Sequence, residues 1–163
     1  MKNLFTLLIV ACFASSCSDE KDVATSSGVA RDNEMVIYLQ NAEGGNLFET
    51  PNYMSEDFRT FYVVNGMPVE NNQGHLDNPR HFNMHIDPPS MMMFLNMDRQ
   101  ESLPQTIIKW NETESDTLTA QYESSMVPHG SDYKCMKVWL NGDLVWDGTP
   151  DDFVEFRDVV IVK

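Results

Sequence analysis

From position 35 onward the apolar residues come in short runs, and each run is closed by residues that turn the chain. Turns are signalled at Asn65-Gly66, Asp87-Pro88-Pro89, Asn111-Glu112-Thr113-Glu114, Val127-Pro128-His129-Gly130, Asn141-Gly142 and Asp147-Gly148-Thr149-Pro150. The intervals between them suit strands and are too short for helices that bury a face. No sustained 3.6-residue periodicity is present, so a single helical turn near Ser55 to Phe58 is the most that the pattern allows. Strands are predicted at Met35 to Gln40, Phe58 to Val64, His81 to Ile86, Met91 to Asn96 and Thr106 to Trp110. Further strands are predicted at Thr117 to Glu123, Tyr133 to Leu140, Leu144 to Trp146 and Phe153 to Val162. From Glu34 to Lys163 there are 130 residues, which suit one domain without internal repeat. The expectation is an all-β fold, a single two-sheet antiparallel β-sandwich of the Ig-like or transthyretin-like kind over residues 34–163.

The first residues belong to a different problem. Lys2 is followed by the eleven-residue stretch Leu4 to Ala14 and then by Ser15-Ser16-Cys17. As a helix that stretch would be about 16 Å long at 1.5 Å per residue, roughly half of a bilayer's hydrocarbon core. It reads as an address label, with the charged, apolar and small-residue parts of a secretory signal. The cysteine after two small residues makes it resemble a bacterial lipoprotein signal, which implies cleavage after residue 16 and a lipid on Cys17. Cys12 is a rival, since Ile9-Val10-Ala11-Cys12 fits the strict form of that motif. Cleavage there would shorten the apolar region to Leu4 to Ala11 and put Phe13 directly behind the anchor. The reading is therefore a signal peptide at 1–16 and a lipidated, polar tether at 17–33. Within it, Ser18-Asp19-Glu20-Lys21-Asp22 resembles the acidic export signal of surface-exposed Bacteroidetes lipoproteins. The alternative is a solvated linker with incidental charge.

Charge narrows the partners. The chain has 11 Lys and Arg against 25 Asp and Glu, a formal charge of −14. Loss of residues 1–16 removes Lys2 and no acid, leaving the remainder near −15. Such a surface repels phosphate backbones and anionic headgroups, so no nucleic-acid partner is expected, and the membrane is held through the N-terminal lipid anchor. With Cys12 removed and Cys17 acylated, Cys135 is left as a single thiol that reads as buried and inert.

Further motifs support the envelope assignment. Gly45-Asn46-Leu47-Phe48, Trp110-Asn111 leading to Asp116-Thr117-Leu118, Trp139-Leu140-Asn141-Gly142 and the ending Val159-Val160-Ile161-Val162-Lys163 together resemble the small envelope lipoproteins of gut Bacteroidetes. The resemblance implies an envelope β-sandwich and supplies no catalytic residues; the lipid on Cys17 and the acidic tether lead to the expectation of an outer-membrane, surface-exposed protein. Asp116-Thr117-Leu118 also resembles the acceptor of the Bacteroidetes O-glycosylation pathway, with Thr117 as the modified residue.

The segment Lys137 to Trp146, KVWLNGDLVW, carries the most information about function. Asn-Gly between alternating apolar residues favours a two-residue hairpin turn. That register sets Trp139 opposite Leu144 and Lys137 opposite Trp146, so both Trp share a face with Lys137, away from Met136, Val138, Leu140 and Val145. A three-residue turn through Asp143 would instead put the two rings on opposite faces. In the first register Trp139 and Trp146, with Lys137, His81 and His85, form a candidate carbohydrate platform, since flat rings suit the C–H faces of sugars. Coverage of the pair by a loop, or its inclusion in the inter-sheet core, is the other reading.

The remaining constellations are weaker. Strand alternation in Arg80 to Asp87 turns Phe82, Met84 and Ile86 inward and His81, Asn83, His85 and Asp87 outward. Two imidazoles four residues apart on a strand lie roughly 13 Å apart, too far to share one zinc, so neither metal nor cofactor is expected. Asp147, Thr149, Asp151 and Asp152 have the odd spacing of a calcium loop but lack its glycine and its closing glutamate. No Gly-x-Ser-x-Gly, His-Glu-x-x-His or phosphate loop occurs, and Glu112 with Glu114 lie on an exposed turn, so no enzymatic activity is expected. Two roles stay open: a noncatalytic module that binds polysaccharide, and a structural module that docks another envelope protein.

Overall fold

The computed structural model describes residues 30–48, 50–127, 130–148 and 157–163. Among these the chain forms strands β1 (Ala30–Asp32), β2 (Glu34–Gln40), β3 (Arg59–Val64), β4 (Met67–Glu70), β5 (Phe82–Ile86) and β6 (Pro89–Phe94). They are followed by β7 (Gln105–Lys109), β8 (Ser115–Val127), β9 (Gly130–Leu140), β10 (Asp143–Asp147) and β11 (Asp158–Val162). The larger sheet runs β1-β9-β8-β7-β3-β4, with β10 also paired to β9, and the smaller runs β11-β2-β6-β5. The two pack face to face as a β-sandwich. At Ser55 to Phe58 the chain makes only turn bonds, with Asp57 N–H donating to Met54 O and Phe58 N–H to Ser55 O.

Alternation explains which face each strand buries. In β2 it is Met35, Ile37 and Leu39 that are fully buried, and in β11 Val159 and Ile161, while Val160 and Val162 are 51% and 60% exposed. From the larger sheet Thr60, Ile108, Leu118, Ala120, Cys135 and Val138 face them. One end is closed by rings from connecting segments: Phe58 meets Trp110 edge-on at 5.2 Å, and Phe48 lies 6.0 Å from Phe58. Burying each such side chain contributes about 1.5–3 kcal/mol, and an edge-to-face pair adds about 0.5–1.5.

Three expectations need correction. The sheets are mixed and not purely antiparallel, because β1 runs parallel to β9 and β11 parallel to β2. The end of the expected tether is itself structured, since Ala30–Asp32 is strand β1. Ile86, expected inward, is 84% exposed, because its pair with Pro89 closes the β5–β6 hairpin beyond the core. Of the expected strand Phe153 to Val162, residues 153–156 lie outside the described residues.

The chain passes from the larger sheet to the smaller at Asn33, and Arg157 clasps that crossing. Its guanidinium bonds to the Asp32 carboxylate on one side and donates to Glu34 O at 2.8 Å on the other. It also lies 4.7 Å above the Trp146 ring. Arg157 is only 4% exposed, so these contacts act with little screening by water.

A second polar node joins both sheets. Asp116, 3% exposed on the inner face of β8, accepts from Trp110 Nε1 at 2.6 Å and from Asn141 Nδ2 at 2.8 Å. Lys163 Nζ, at the end of β11, lies 2.7 Å from the same carboxylate. Burial alone would raise the pKa, but the hydrogen bonds from Lys163, Asn141 and Trp110 outweigh it and hold the group below the usual carboxylate range. A depressed folded-state pKa stabilises the fold above the unfolded value near ~3.9, and the contribution disappears as pH falls through the lower folded value. Asp116→Ala is therefore expected to cost about 2 kcal/mol at neutral pH by denaturant titration, since it strands the fully buried Trp110 indole N–H and removes the bonds from Asn141 and Lys163. The gap between variant and wild type should close as the pH drops below the usual carboxylate range.

Candidate functional site

A cleft of about 940 Å³ opens where the β1–β2 crossing, the loop from β4 to β5 and the segment after β6 meet. Its walls include Asn33 and Glu34 from the crossing, Gln73, Leu76, Asp77 and His81 from the loop, and Asp98 and Arg99 from the third segment. Tyr62 and Phe94 reach it from β3 and β6.

The walls are held by specific bonds. At one end of the loop, Asn71 N–H donates to Thr60 O at 2.8 Å, and Asn71 Nδ2 donates to Thr60 Oγ1 at 3.0 Å. At the other, Arg80 Nη1 donates to Glu56 O at 3.0 Å and to Phe58 O at 3.2 Å. Asn33 and Leu95 bond reciprocally, Leu95 N–H to Asn33 O at 2.8 Å and Asn33 Nδ2 to Leu95 O at 2.9 Å. Asn96, 4% exposed, donates through Nδ2 to Val63 O and Gln105 O, both at 3.1 Å. A loop pinned this way presents side chains at little further entropic cost on binding.

His81 is the central group. Sequence alternation aimed it outward beside His85, but its φ of 59° is left-handed, a conformation His adopts more readily than most residues. Its carbonyl still accepts from Phe94 N–H at 3.0 Å, so the backbone joins β6 while the ring turns into the cleft. His81 Nδ1 lies 2.8 Å from Tyr62 Oη, and Tyr62 Oη donates to Phe94 O at 2.9 Å. A phenol has one proton, and here a carbonyl takes it. Nδ1 must then carry the hydrogen, which leaves Nε2 with its lone pair in the neutral ring. Burial favours that neutral state by lowering the His81 pKa, and burial also raises that of Tyr62, keeping it a donor.

Charge and stacking complete the cleft. Arg99 sits 5.2 Å over the Tyr133 ring, which stacks on Tyr122 at 5.3 Å with planes 13° apart. Glu34, Asp77 and Asp98 line the same cleft as Arg99, and Asp98 Oδ1 accepts from Gln100 N–H at 2.9 Å.

The expected tryptophan platform is not assembled. The turn has two residues as the sequence indicated, with Asn141 and Gly142 at φ 51° and 96° and Trp139 opposite Leu144. A bulge then shifts the register, so Trp146 pairs with Val138 and Lys137 with Asp147. Cross-strand partners share a face, and Val138 is fully buried, so Trp146 turns to the core side while Trp139 stays on the outer face. Trp146 packs against the core under Arg157, and Lys137 forms a 3.1 Å ion pair with Asp147.

The other candidates are dispersed. His85 is exposed on β5 opposite Ser90. Thr117 is half-buried on the outer face, its N–H donating to Asn141 Oδ1 at 2.9 Å, and its neighbour Asp116 is consumed by the inter-sheet node. Glu114 accepts from Tyr53 Oη at 2.6 Å, whereas Glu112 pairs with Lys109 at 3.6 Å, so these acids serve different neighbours. Cys135 is buried and free, and burial pushes its thiol up to about 11. Among the described residues no three His, Cys, Asp or Glu side chains are grouped to hold a metal ion. Cys12, Cys17, Thr149, Asp151 and Asp152 lie outside the described residues.

Sequence reasoning reached His81 for another reason and missed Tyr62, Glu34, Asp77 and Arg99. The available signal was the long polar segment Asn71 to Arg80 between two strands, since loops of that length in a small domain tend to carry function.

The hairpin geometry predicts unequal roles for its two rings. Trp146→Ala should lose about 2 kcal/mol in denaturant unfolding and Trp139→Ala less than about 1, because only Trp146 packs beneath Arg157 against the core. Equal losses would mean that both rings share one environment.

Comparison with known proteins finds no matching family model, no matching curated protein and no matching solved structure.

Proposed function

We propose that the protein is lipid-anchored through Cys17 to the outer membrane and faces outward, and that its β-sandwich is a noncatalytic carbohydrate-binding accessory module. The seat is the cleft around His81, in place of the tryptophan pair. The observation that carries this reading is the cleft itself: a concavity of about 940 Å³ with pinned walls, aromatic rings and polar side chains, which suits a polyhydroxylated ligand. A noncatalytic role agrees with the bonding of His81, whose Nδ1 is engaged by a phenol and not by the carboxylate that orients a general base.

A second reading, a protein-interaction module of the envelope, draws on the outer face of the smaller sheet. Val160 lies beside Tyr38 there, and Val160 and Val162 are more than half exposed. Docking on that face would be seen as one specific partner crosslinked in cells.

The first reading predicts that immobilised polysaccharides retain the purified protein, and that protease added to intact cells removes the domain. Changing Asp19 and Glu20 together to Ala should leave the protein anchored but protected. Retention by no polysaccharide would remove the carbohydrate role. A wild-type domain protected while a known surface protein is cut would place it on the periplasmic side.

A further inference from the structure

Given the carbohydrate-binding reading, on which any selectivity among sugars rests, the chemistry of the cleft decides which sugars it can take. The acceptors are fixed. Tyr62 uses its proton on Phe94 O, so His81 donates from Nδ1 and offers the Nε2 lone pair. The charged groups that share the cleft with His81 are Glu34 of β2, Asp77 of the β4–β5 loop, and Asp98 and Arg99 after β6. Three acidic residues and one arginine line the cleft, and the guanidinium lies over Tyr133. The ion pairs Arg59–Glu70, Lys109–Glu112, Lys137–Asp147, Arg157–Asp32 and Lys163–Asp116 involve none of these four. A cleft rich in acceptors and negative in sum needs donors from its ligand and repels anions.

We propose that the cleft binds an uncharged sugar unit, one of whose hydroxyls donates to Nε2 of neutral His81, and that it rejects uronic, sulfated and phosphorylated sugars. The rings of Tyr62 and Phe94 offer apolar area beside that bond. Protonation of His81 turns Nε2 from acceptor into donor, so binding holds at neutral pH and falls as the pH drops through the His81 pKa.

The test measures binding of the purified protein to cellotetraose, maltotetraose, tetragalacturonic acid and spermine by calorimetry, at two salt concentrations and at neutral and acidic pH. His81→Asn is the informative variant, because Asn tolerates a left-handed φ and keeps the loop while removing Nε2. The expected result is binding of at least one neutral tetrasaccharide, insensitive to salt, and about tenfold weaker in His81→Asn at unchanged melting temperature. Tetragalacturonic acid should bind only when Glu34→Gln and Asp77→Asn are combined.

Each other outcome overturns a different step. Tetragalacturonic acid bound as well as a neutral sugar by the wild type defeats the neutral selectivity and leaves the carbohydrate reading standing. Neutral sugar bound equally by wild type and His81→Asn removes the site from this cleft. Salt-sensitive spermine binding with no sugar bound makes the cleft a cation site and defeats both readings. No binding of any probe defeats both as well.

Discussion

A carboxylate buried between two sheets is costly unless its partners outweigh the lost hydration, and Asp116 meets that condition with three partners from three parts of the chain. Trp110 brings the aromatic end of the core, Asn141 the turn of the β9–β10 hairpin, and Lys163 the last strand of the opposite sheet. Of these three residues Trp110 is fully buried, and its indole N–H has the acid as its partner. Apolar contact between two sheets tolerates sliding; a carboxylate with directed donors does not, and the relative register of the layers follows from it.

The strand content was legible because burial and period coincide. Met35, Ile37 and Leu39, or Val159 and Ile161, alternate as half-buried strands must. The sequence pattern failed where that coincidence ends. β4 has every residue exposed and contains Pro68, and β1 reads Ala-Arg-Asp, so neither carries an alternating signal. The parallel pairings at the two ends of the described chain were equally invisible, because partner choice for an edge strand depends on where the other strands leave an open edge.

The hairpin shows how a correct local reading can yield a wrong surface. The turn type at Asn141-Gly142 was readable, and so was the pair Trp139 with Leu144. One bulge residue then reversed every side chain after it, since strand faces alternate with a period of two. His81 is the converse: the strand period placed its ring on the outer face, and one left-handed residue delivered it to the cleft. Both departures are single backbone events with no compositional mark, while the polar loop that frames the cleft stood plainly in the sequence.

The Arg157 clasp has a mechanical consequence. A pull on the chain from its N-terminal side, as the proposed anchoring implies, reaches β1 before any other described strand. Three residues of β1 pair with β9, and a pull directed along the strand would load those bonds together instead of one at a time. What remains passes through Asp32 to Arg157, which also holds Glu34 O, so the crossing at Asn33 is braced from both sides. Asn33 and Glu34 are walls of the cleft, so the same brace stands between the cleft and the chain that leads to it.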